Sequence, residues 1–219
     1  MRKEPIVTAK FDELIIPGLY DSGPDHWQTR WLEARPNALK VELGSWEGPA
    51  PEPWIVRLDR AIARRRNPVF LIGHSLGCLA VAWWAQQASA DRINKIRGAL
   101  LVAPPDVDRP DAHHLVRPFA PAPRNALPFP SILVASRTDP YAAYPRLADL
   151  ASAWGSELVD AGDAGHINAE SGLDDWPDGL ALLDRLRFGD ISRAAAYRRP
   201  RLPARRAARI ITRTRSRRA

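Results

Sequence analysis

Residues 69–77 read VFLIGHSLG, an apolar run that passes directly into the pattern G-x-S-x-G. The apolar residues 69–72 predict a buried strand, and the Leu, Ala, Val and Trp residues over 76–87 predict a helix. A serine at the apex of such a turn has a strained backbone, which projects its hydroxyl and leaves the next N–H free. Gly73 and Gly77 suit this turn because larger side chains would collide across it. The pattern therefore predicts Ser75 as a nucleophile, with an ordinary tight turn as the alternative.

The positive charge of the chain is concentrated at its C-terminal end. Eleven of the 32 basic residues are arginines within residues 191–219, which contain no acidic residue. Residues 1–190 therefore hold 21 basic and 25 acidic residues, a net charge of −4. We expect one globular domain over residues 1–190 and a disordered Arg-rich tail over residues 191–219. The tail would suit nucleic acid or an anionic membrane surface, but its lack of interleaved aromatic residues favours an accessory extension.

Composition also limits the cellular location and the cofactors. Cys78 is the only cysteine, and a single cysteine excludes an internal disulfide and fits the reducing cytoplasm. We expect Cys78 to be a buried structural thiol. No stretch approaches the roughly 20 apolar residues that span a membrane, and residues 1–12 lack the apolar run of a signal peptide. The histidines have no partners at zinc-site spacing. We therefore predict a cytoplasmic protein that needs neither a metal nor an organic cofactor.

Strand and helix patterns alternate along the chain. Strands are predicted over residues 13–16, 38–43, 69–72, 96–103, 131–136 and 157–159, and helices over residues 24–34, 54–66, 76–87, 144–154 and 176–188. This alternation predicts an α/β fold with a mostly parallel, doubly wound sheet of about six strands. Right-handed crossovers place the carboxyl ends of the strands along one edge, where ligands bind. The proline-rich residues 104–130 are too few for a helical cap domain, so we expect a stiff loop beside an open site.

A serine nucleophile needs a general base, and that base needs an orienting acid. His166 lies in a loop directly after the last predicted strand and is the predicted base. Asp139 directly follows the fifth predicted strand and is the predicted acid. The order Ser…Asp…His matches the α/β-hydrolase arrangement and no other triad family. Four other aspartates remain as alternatives for the acid: Asp106, Asp108, Asp160 and Asp163.

Two backbone N–H groups are needed to bind an oxyanion. Leu76 follows the nucleophile and supplies the first, and Leu19, in the loop after the first strand, is predicted to supply the second. Gly18 would let that loop approach the substrate closely, although a plain strand-ending turn is the alternative. Trp46 and Trp54 flank a Gly/Pro-rich stretch near the same edge of the sheet. They could line an apolar acyl or aromatic pocket.

Several motifs taken together resemble the small serine-hydrolase family typified by retinoblastoma-binding protein nine. The resemblance covers about residues 11–188 and implies a single-domain, lidless α/β hydrolase in which Ser75, Asp139 and His166 form the triad. It also implies that residues 26–28 are a family feature near the site, and it is silent about the Arg-rich tail. The motifs are Ile16-Pro17-Gly18, residues 22–28 with Trp31, residues 73–77, Asp139-Pro140-Tyr141, residues 164–168, and residues 171–173 with Trp176.

The sequence therefore predicts a serine hydrolase that cleaves a small ester or amide substrate through an acyl-enzyme. Two other functions stay open at this point. The chain could be a non-catalytic interaction protein that keeps the hydrolase fold, although only catalysis demands all three triad residues. It could also act through its tail on nucleic acid or an anionic surface.

Overall fold

A computed structural model of the protein describes residues 11–188, and the predicted tail and the domain boundary at residue 190 lie outside this range. The sheet has six strands in the order β2-β1-β3-β4-β5-β6, and every neighbouring pair is parallel. This confirms the predicted parallel sheet. The strands are β1 (Asp12–Ile16), β2 (Ala38–Lys40), β3 (Val69–His74), β4 (Ile96–Val102), β5 (Ser131–Ala135) and β6 (Glu157–Asp160).

Helices connect the strands and cover both faces of the sheet. The helices are α1 (Trp27–Ala34), α2 (Pro51–Ala63), α3 (Leu76–Gln87), α4 (Ala90–Ile93), α5 (Tyr144–Trp154) and α6 (Pro177–Phe188). Helix α2 begins three residues earlier than predicted because Pro51 fits the first helical turn, where its missing N–H is not needed. Gly155 ends α5 in the left-handed conformation, with φ of 66°. Within residues 11–188, none of these helices is both long and apolar enough to cross a membrane.

Two apolar layers enclose the sheet because successive strand residues point to opposite faces. On one face, Leu14 and Ile16 of β1 pack in the layer that contains α2, α3 and α5. On the other face, Ile15 packs in the layer that contains Trp27 and Trp31 of α1. The predicted doubly wound α/β architecture is therefore present.

Strand order also determines where a site can form. From β1 the chain crosses to β2 on one side and then returns to β3 on the other, so the order reverses between β1 and β3. Such a reversal opens a crevice at the carboxyl ends of the two strands. Residues 104–130 border it with a single short 3-10 helix, Arg117–Phe119, and the described chain has no cap domain.

Candidate active site

Ser75 lies at the carboxyl end of β3, between the strand and helix α3. Its backbone has φ of 51° and ψ of −126°, a region that non-glycine residues avoid. Holding a residue there costs about 1–3 kcal/mol, which the surrounding structure must offset. The Ser75 N–H donates to Val102 O at 2.9 Å, and its carbonyl accepts from the Cys78 N–H at 3.0 Å. These bonds anchor the turn on β4 and on the first turn of α3.

Glycines allow close packing at three positions around Ser75. A Cβ on Gly77 would lie 2.2 Å from Ile16 O, so helix α3 packs directly on the end of β1. A Cβ on Gly73 would lie 3.2 Å from the Cys78 nitrogen, across the turn. A Cβ on Gly18 would lie 2.7 Å from the Ser75 Cβ and 3.2 Å from the Leu76 nitrogen. The loop after β1 therefore packs so closely on Ser75 that no side chain fits at position 18.

The structure brings Ser75, His166 and Asp139 into one hydrogen-bonded chain. His166 Nε2 lies 2.9 Å from Ser75 Oγ, and His166 Nδ1 lies 2.9 Å and 3.1 Å from the two carboxylate oxygens of Asp139. The Asp139 side chain is fully buried, and its Oδ1 also accepts from the Tyr141 N–H at 2.9 Å. A carboxylate can only accept, so the proton of the neutral ring lies on Nδ1. Nε2 is then free to accept the proton of Ser75.

The alternative acids are held elsewhere. Asp106 Oδ1 lies 3.2 Å from Arg146 Nε, and Asp108 also pairs with Arg146. Asp160 accepts from Arg137 at 2.8 Å, and the hydrogen bonds of the His166 ring go to Asp139 and Ser75 rather than to Asp163. Of the five candidate aspartates, only Asp139 contacts His166.

The amides of Leu19 and Leu76 are both without a hydrogen-bond partner in the described part of the chain. Leu76 is the first residue of α3, where the helix leaves its N–H groups unpaired. The next amide after Leu19, that of Tyr20, is already used, since it donates to Trp46 O at 3.0 Å. The N–H groups of Leu19 and Leu76 therefore remain available as donors, on the two sides of the close contact with Gly18.

Residues far from His166 in sequence bind the loop that carries it. His74 Nε2 donates to the His166 carbonyl at 3.0 Å, and Trp27 Nε1 donates to the Ile167 carbonyl at 2.9 Å. Gln28 Nε2 donates to Ile72 O at 3.1 Å, at the end of β3. Trp27 and Gln28 are thus bonded to backbone carbonyls next to His166 and at the end of β3.

Two buried histidines beside the site are neutral. Burial, followed by the neighbouring His166, lowers the pKa of His26 from 6.5 to about 4, although the charge of Asp21 opposes this. Burial also lowers the pKa of His74 well below its ordinary value, and the nearby His26 and His166 rings act in the same direction. The His26 and His74 rings meet edge-on, with centroids 4.6 Å apart. An uncharged wall therefore lies behind His166.

An open cavity of about 690 Å³ lies above Ser75 and His166. Its floor includes Leu19 and His74, and one wall comes from the loop of residues 104–130, as its position between β4 and β5 predicted. Neither Trp46 nor Trp54 lines this cavity.

The two tryptophans pack elsewhere for a physical reason. Trp54 is 1% exposed, and its ring lies between those of Trp46 and Phe119, with centroids 5.6 Å and 5.5 Å away. Because α2 begins at Pro51, Trp54 shares a helix face with Leu58 and Ile62, which are also buried. The structure therefore gives Trp46 and Trp54 a packing role and does not support the predicted pocket role.

Cys78 is fully buried, as predicted, and its Sγ lies 3.3 Å from Val102 O. Burial raises the pKa of its thiol, so it is an inert packing group. Over residues 11–188, no group of three or more His, Cys, Asp or Glu side chains is arranged to hold a metal ion.

A family model described as serine hydrolase matches residues 13–185, a range that contains every residue of this site. The chain belongs to the serine hydrolase family. A solved YdeN-like hydrolase from Pectobacterium atrosepticum is 33% identical to it, with a TM-score of 0.71 over 83% of this chain and 92% of the other. Comparison with curated proteins gives no match.

More distant structures share the fold of this serine hydrolase. The ydeN gene product from B. subtilis is 18% identical, with a TM-score of 0.65 over 81% of this chain and 99% of the other. An esterase domain from Rhodothermus marinus is 15% identical, with a TM-score of 0.59 over 85% of this chain and 91% of the other. At these identities the likeness shows the α/β-hydrolase fold alone.

Sequence reasoning missed two groups of residues in this serine hydrolase. The hydrogen bond from His74 to the His166 carbonyl joins residues 92 positions apart, and no local sequence pattern predicts it. Tyr20 and Tyr141 both line the cavity, yet they stand in loops without periodicity. The signals for Tyr141 were its place two residues after Asp139 and its part in the motif Asp139-Pro140-Tyr141, and neither shows that its ring faces the cavity.

Proposed function

We propose that this serine hydrolase cleaves small esters or amides through an acyl-enzyme formed on Ser75. The contact chain from Ser75 Oγ through His166 to the buried Asp139 carboxylate carries this proposal. It joins a nucleophile, a base with a free Nε2 and an orienting acid, which is the arrangement that acyl transfer requires.

In the first half of the reaction, His166 Nε2 takes the proton of Ser75 as Oγ attacks the substrate carbonyl. The negative charge that develops on the carbonyl oxygen is bound by the free N–H groups of Leu76 and Leu19. Asp139 keeps the Nδ1 proton in place and stabilises the imidazolium. His166 then donates its new proton to the leaving alcohol or amine, and the acyl group stays on Ser75.

In the second half, a water molecule replaces the leaving group. His166 takes a proton from this water, whose oxygen attacks the acyl carbonyl, and the same two N–H groups bind the second oxyanion. Collapse of this intermediate releases the acid, and His166 returns the proton to Ser75 Oγ. Only the neutral imidazole can act as the base in either half of the reaction.

The open cavity supports a small or exposed substrate, since no cap domain covers it in the described chain. This agrees with the lidless subgroup typified by retinoblastoma-binding protein nine, to which we assign the chain by its motifs. Membership of this subgroup does not identify a substrate.

The test is hydrolysis of p-nitrophenyl acetate and of the matching p-nitroanilide by wild type, Ser75→Ala and Ser152→Ala. Ser152 is exposed on α5 and does not line the cavity, so it serves as the matched control. We expect wild type and Ser152→Ala to hydrolyse the ester, and Ser75→Ala to fall to the rate without enzyme while it stays folded. Retention of activity in Ser75→Ala would refute the proposal.

The Arg-rich residues 191–219 lie outside the described residues, and their contact with nucleic acid or an anionic surface stays a prediction. Deleting them should leave ester hydrolysis unchanged and remove any salt-sensitive binding. We propose the cytoplasm as the location, on the basis of the single cysteine.

A further inference from the structure

Two of the most exposed aromatic side chains of the described chain stand at the cavity. Tyr20 is 60% exposed and Tyr141 is 51% exposed, and both line the cavity that contains Ser75. Isolated exposed apolar side chains are normal, but a pair that borders one concave site indicates a ligand surface.

The two rings come from opposite sides of the nucleophile. Tyr20 follows β1 and Tyr141 follows β5, and these strands lie on opposite sides of β3, which ends at Ser75. Tyr20 directly follows Leu19, one of the two proposed oxyanion donors. The Tyr141 ring meets the His166 ring edge-on, with centroids 4.5 Å apart.

The backbones that carry these rings are fixed. The Tyr141 N–H donates to Asp139 Oδ1 at 2.9 Å, and its carbonyl accepts from the Asp106 N–H at 3.0 Å. The Tyr20 N–H donates to Trp46 O at 3.0 Å, and its φ of 65° is an unfavourable value for tyrosine. A strained, anchored residue whose side chain is left in solvent is a feature typical of ligand sites.

The charges of the cavity disfavour an anionic substrate. Among the described residues that line it, Arg109 is the only Lys or Arg, and it already binds Asp111 and, at 3.0 Å, the Pro140 carbonyl. The lining also includes Glu170 and Asp21, the second of which is paired with Lys40 at 2.8 Å. No free cation of the cavity lining is therefore available to a substrate carboxylate.

Building on the proposed function, we propose that the preferred substrates are uncharged esters of aromatic alcohols. Tyr141 packs against the ring of the alcohol, and Tyr20 borders the cavity on the opposite side of Ser75. The leaving oxygen must reach His166 Nε2 to receive its proton, so the alcohol lies on the His166 side of the carbonyl. Tyr141 contacts His166 on this side. Aromatic rings prefer edge-to-face or offset contacts with one another, and a saturated ring of the same size gains less from them.

The experiment compares benzyl acetate with cyclohexylmethyl acetate, which share the acyl group and differ in the aromaticity of the alcohol ring. We expect wild type to favour the benzyl ester by roughly two- to tenfold in kcat/KM, the ratio that one aromatic contact supplies. Tyr141→Phe keeps the ring and should keep the preference, whereas Tyr141→Leu should reduce the ratio to about 1. Adding a carboxylate, as in 4-carboxybenzyl acetate, should lower kcat/KM by about tenfold through repulsion.

His113→Leu is the matched control, because it removes an exposed ring from the cavity wall contributed by residues 104–130. This variant should keep the wild-type ratio. Equal kcat/KM for the two esters in wild type, or an unchanged preference in Tyr141→Leu, would overturn the inference while hydrolysis itself persists. Failure of the proposed function looks different, since wild type would then hydrolyse neither ester, and the inference would fall with it.

Discussion

Acid should destabilise the folded protein through His26, and the size of this effect follows from its buried position. His26 is 5% exposed, and its pKa falls from 6.5 in the unfolded chain to about 4 in the folded protein. Between these two pH values the unfolded chain binds a proton that the folded protein does not. Stability is therefore complete above about pH 6.5 and is lost as the pH falls toward 4. His74 shifts in the same direction and adds to the loss.

The change is His26→Asn, which retains a side-chain acceptor for the Gln28 N–H at the start of α1 and removes the titrating group. By proton linkage, the folded-state shift of His26 alone removes about 2 kcal/mol of unfolding free energy at pH 5 and about 3 kcal/mol at pH 4. We expect wild type to lose that much more stability than His26→Asn between pH 7 and pH 4. Carboxylates titrate in both proteins and cancel in the comparison.

The assay is urea unfolding followed by tryptophan fluorescence at pH 7, 5 and 4, with the midpoint and the slope fitted at each pH. His113→Asn is the control, since His113 is exposed, and it should follow wild type. The reasoning is refuted if His26→Asn loses as much unfolding free energy between pH 7 and pH 4 as wild type does.

Three further changes test other parts of the site and fold. Gly18→Ala should lower kcat/KM for p-nitrophenyl acetate by about 100-fold, because its Cβ would lie 2.7 Å from Ser75 Cβ, whereas Gly23→Ala, with nothing within 4 Å, should be neutral. Asp139→Asn should lower kcat by about 10⁴-fold through the wrong imidazole tautomer, and Asp163→Asn in the neighbouring loop should not; equal rates would count against Asp139 as the acid. Glu13→Gln should lower the free energy of unfolding by about 3 kcal/mol, since the fully buried Glu13 accepts from Arg35 at 2.8 Å. The control Glu157→Gln, in an exposed pair with Arg185, should change this free energy by less than about 1 kcal/mol.

The arrangement of Ser75, Asp139 and His166 could be predicted because strand order in a parallel sheet is a strong constraint. Ser75 directly follows β3, whereas Asp139 and His166 lie in the loops after β5 and β6. Parallel strands bring their carboxyl ends, and with them these loops, to one edge. The chain order Ser…Asp…His then selected one arrangement among the triad families. Sequence position alone was therefore enough to bring together residues that are up to 91 positions apart.

The pocket lining was harder to predict because it depends on side-chain direction. Trp54 was proposed to line the pocket from its place near the active edge, yet its spacing with Leu58 and Ile62 already indicated a buried helix face. Tyr20 and Tyr141 lie in loops, where no periodicity tells which side chain faces the cavity. The support of His166 by His74 and Trp27 depends on contacts between distant segments, which a single sequence does not encode in any local pattern.

The measurement that tests the central claim most directly is site mapping of a fluorophosphonate adduct. The phosphorus of this probe reacts with an activated serine, so labelling requires Ser75 Oγ, the base His166 and the oxyanion donors to work together. We predict one adduct per chain of the wild-type protein, found on the peptide that contains Ser75, no adduct in Ser75→Ala, and strongly slowed labelling in His166→Ala. An adduct on another serine, or a folded wild-type protein that does not label, would contradict the account.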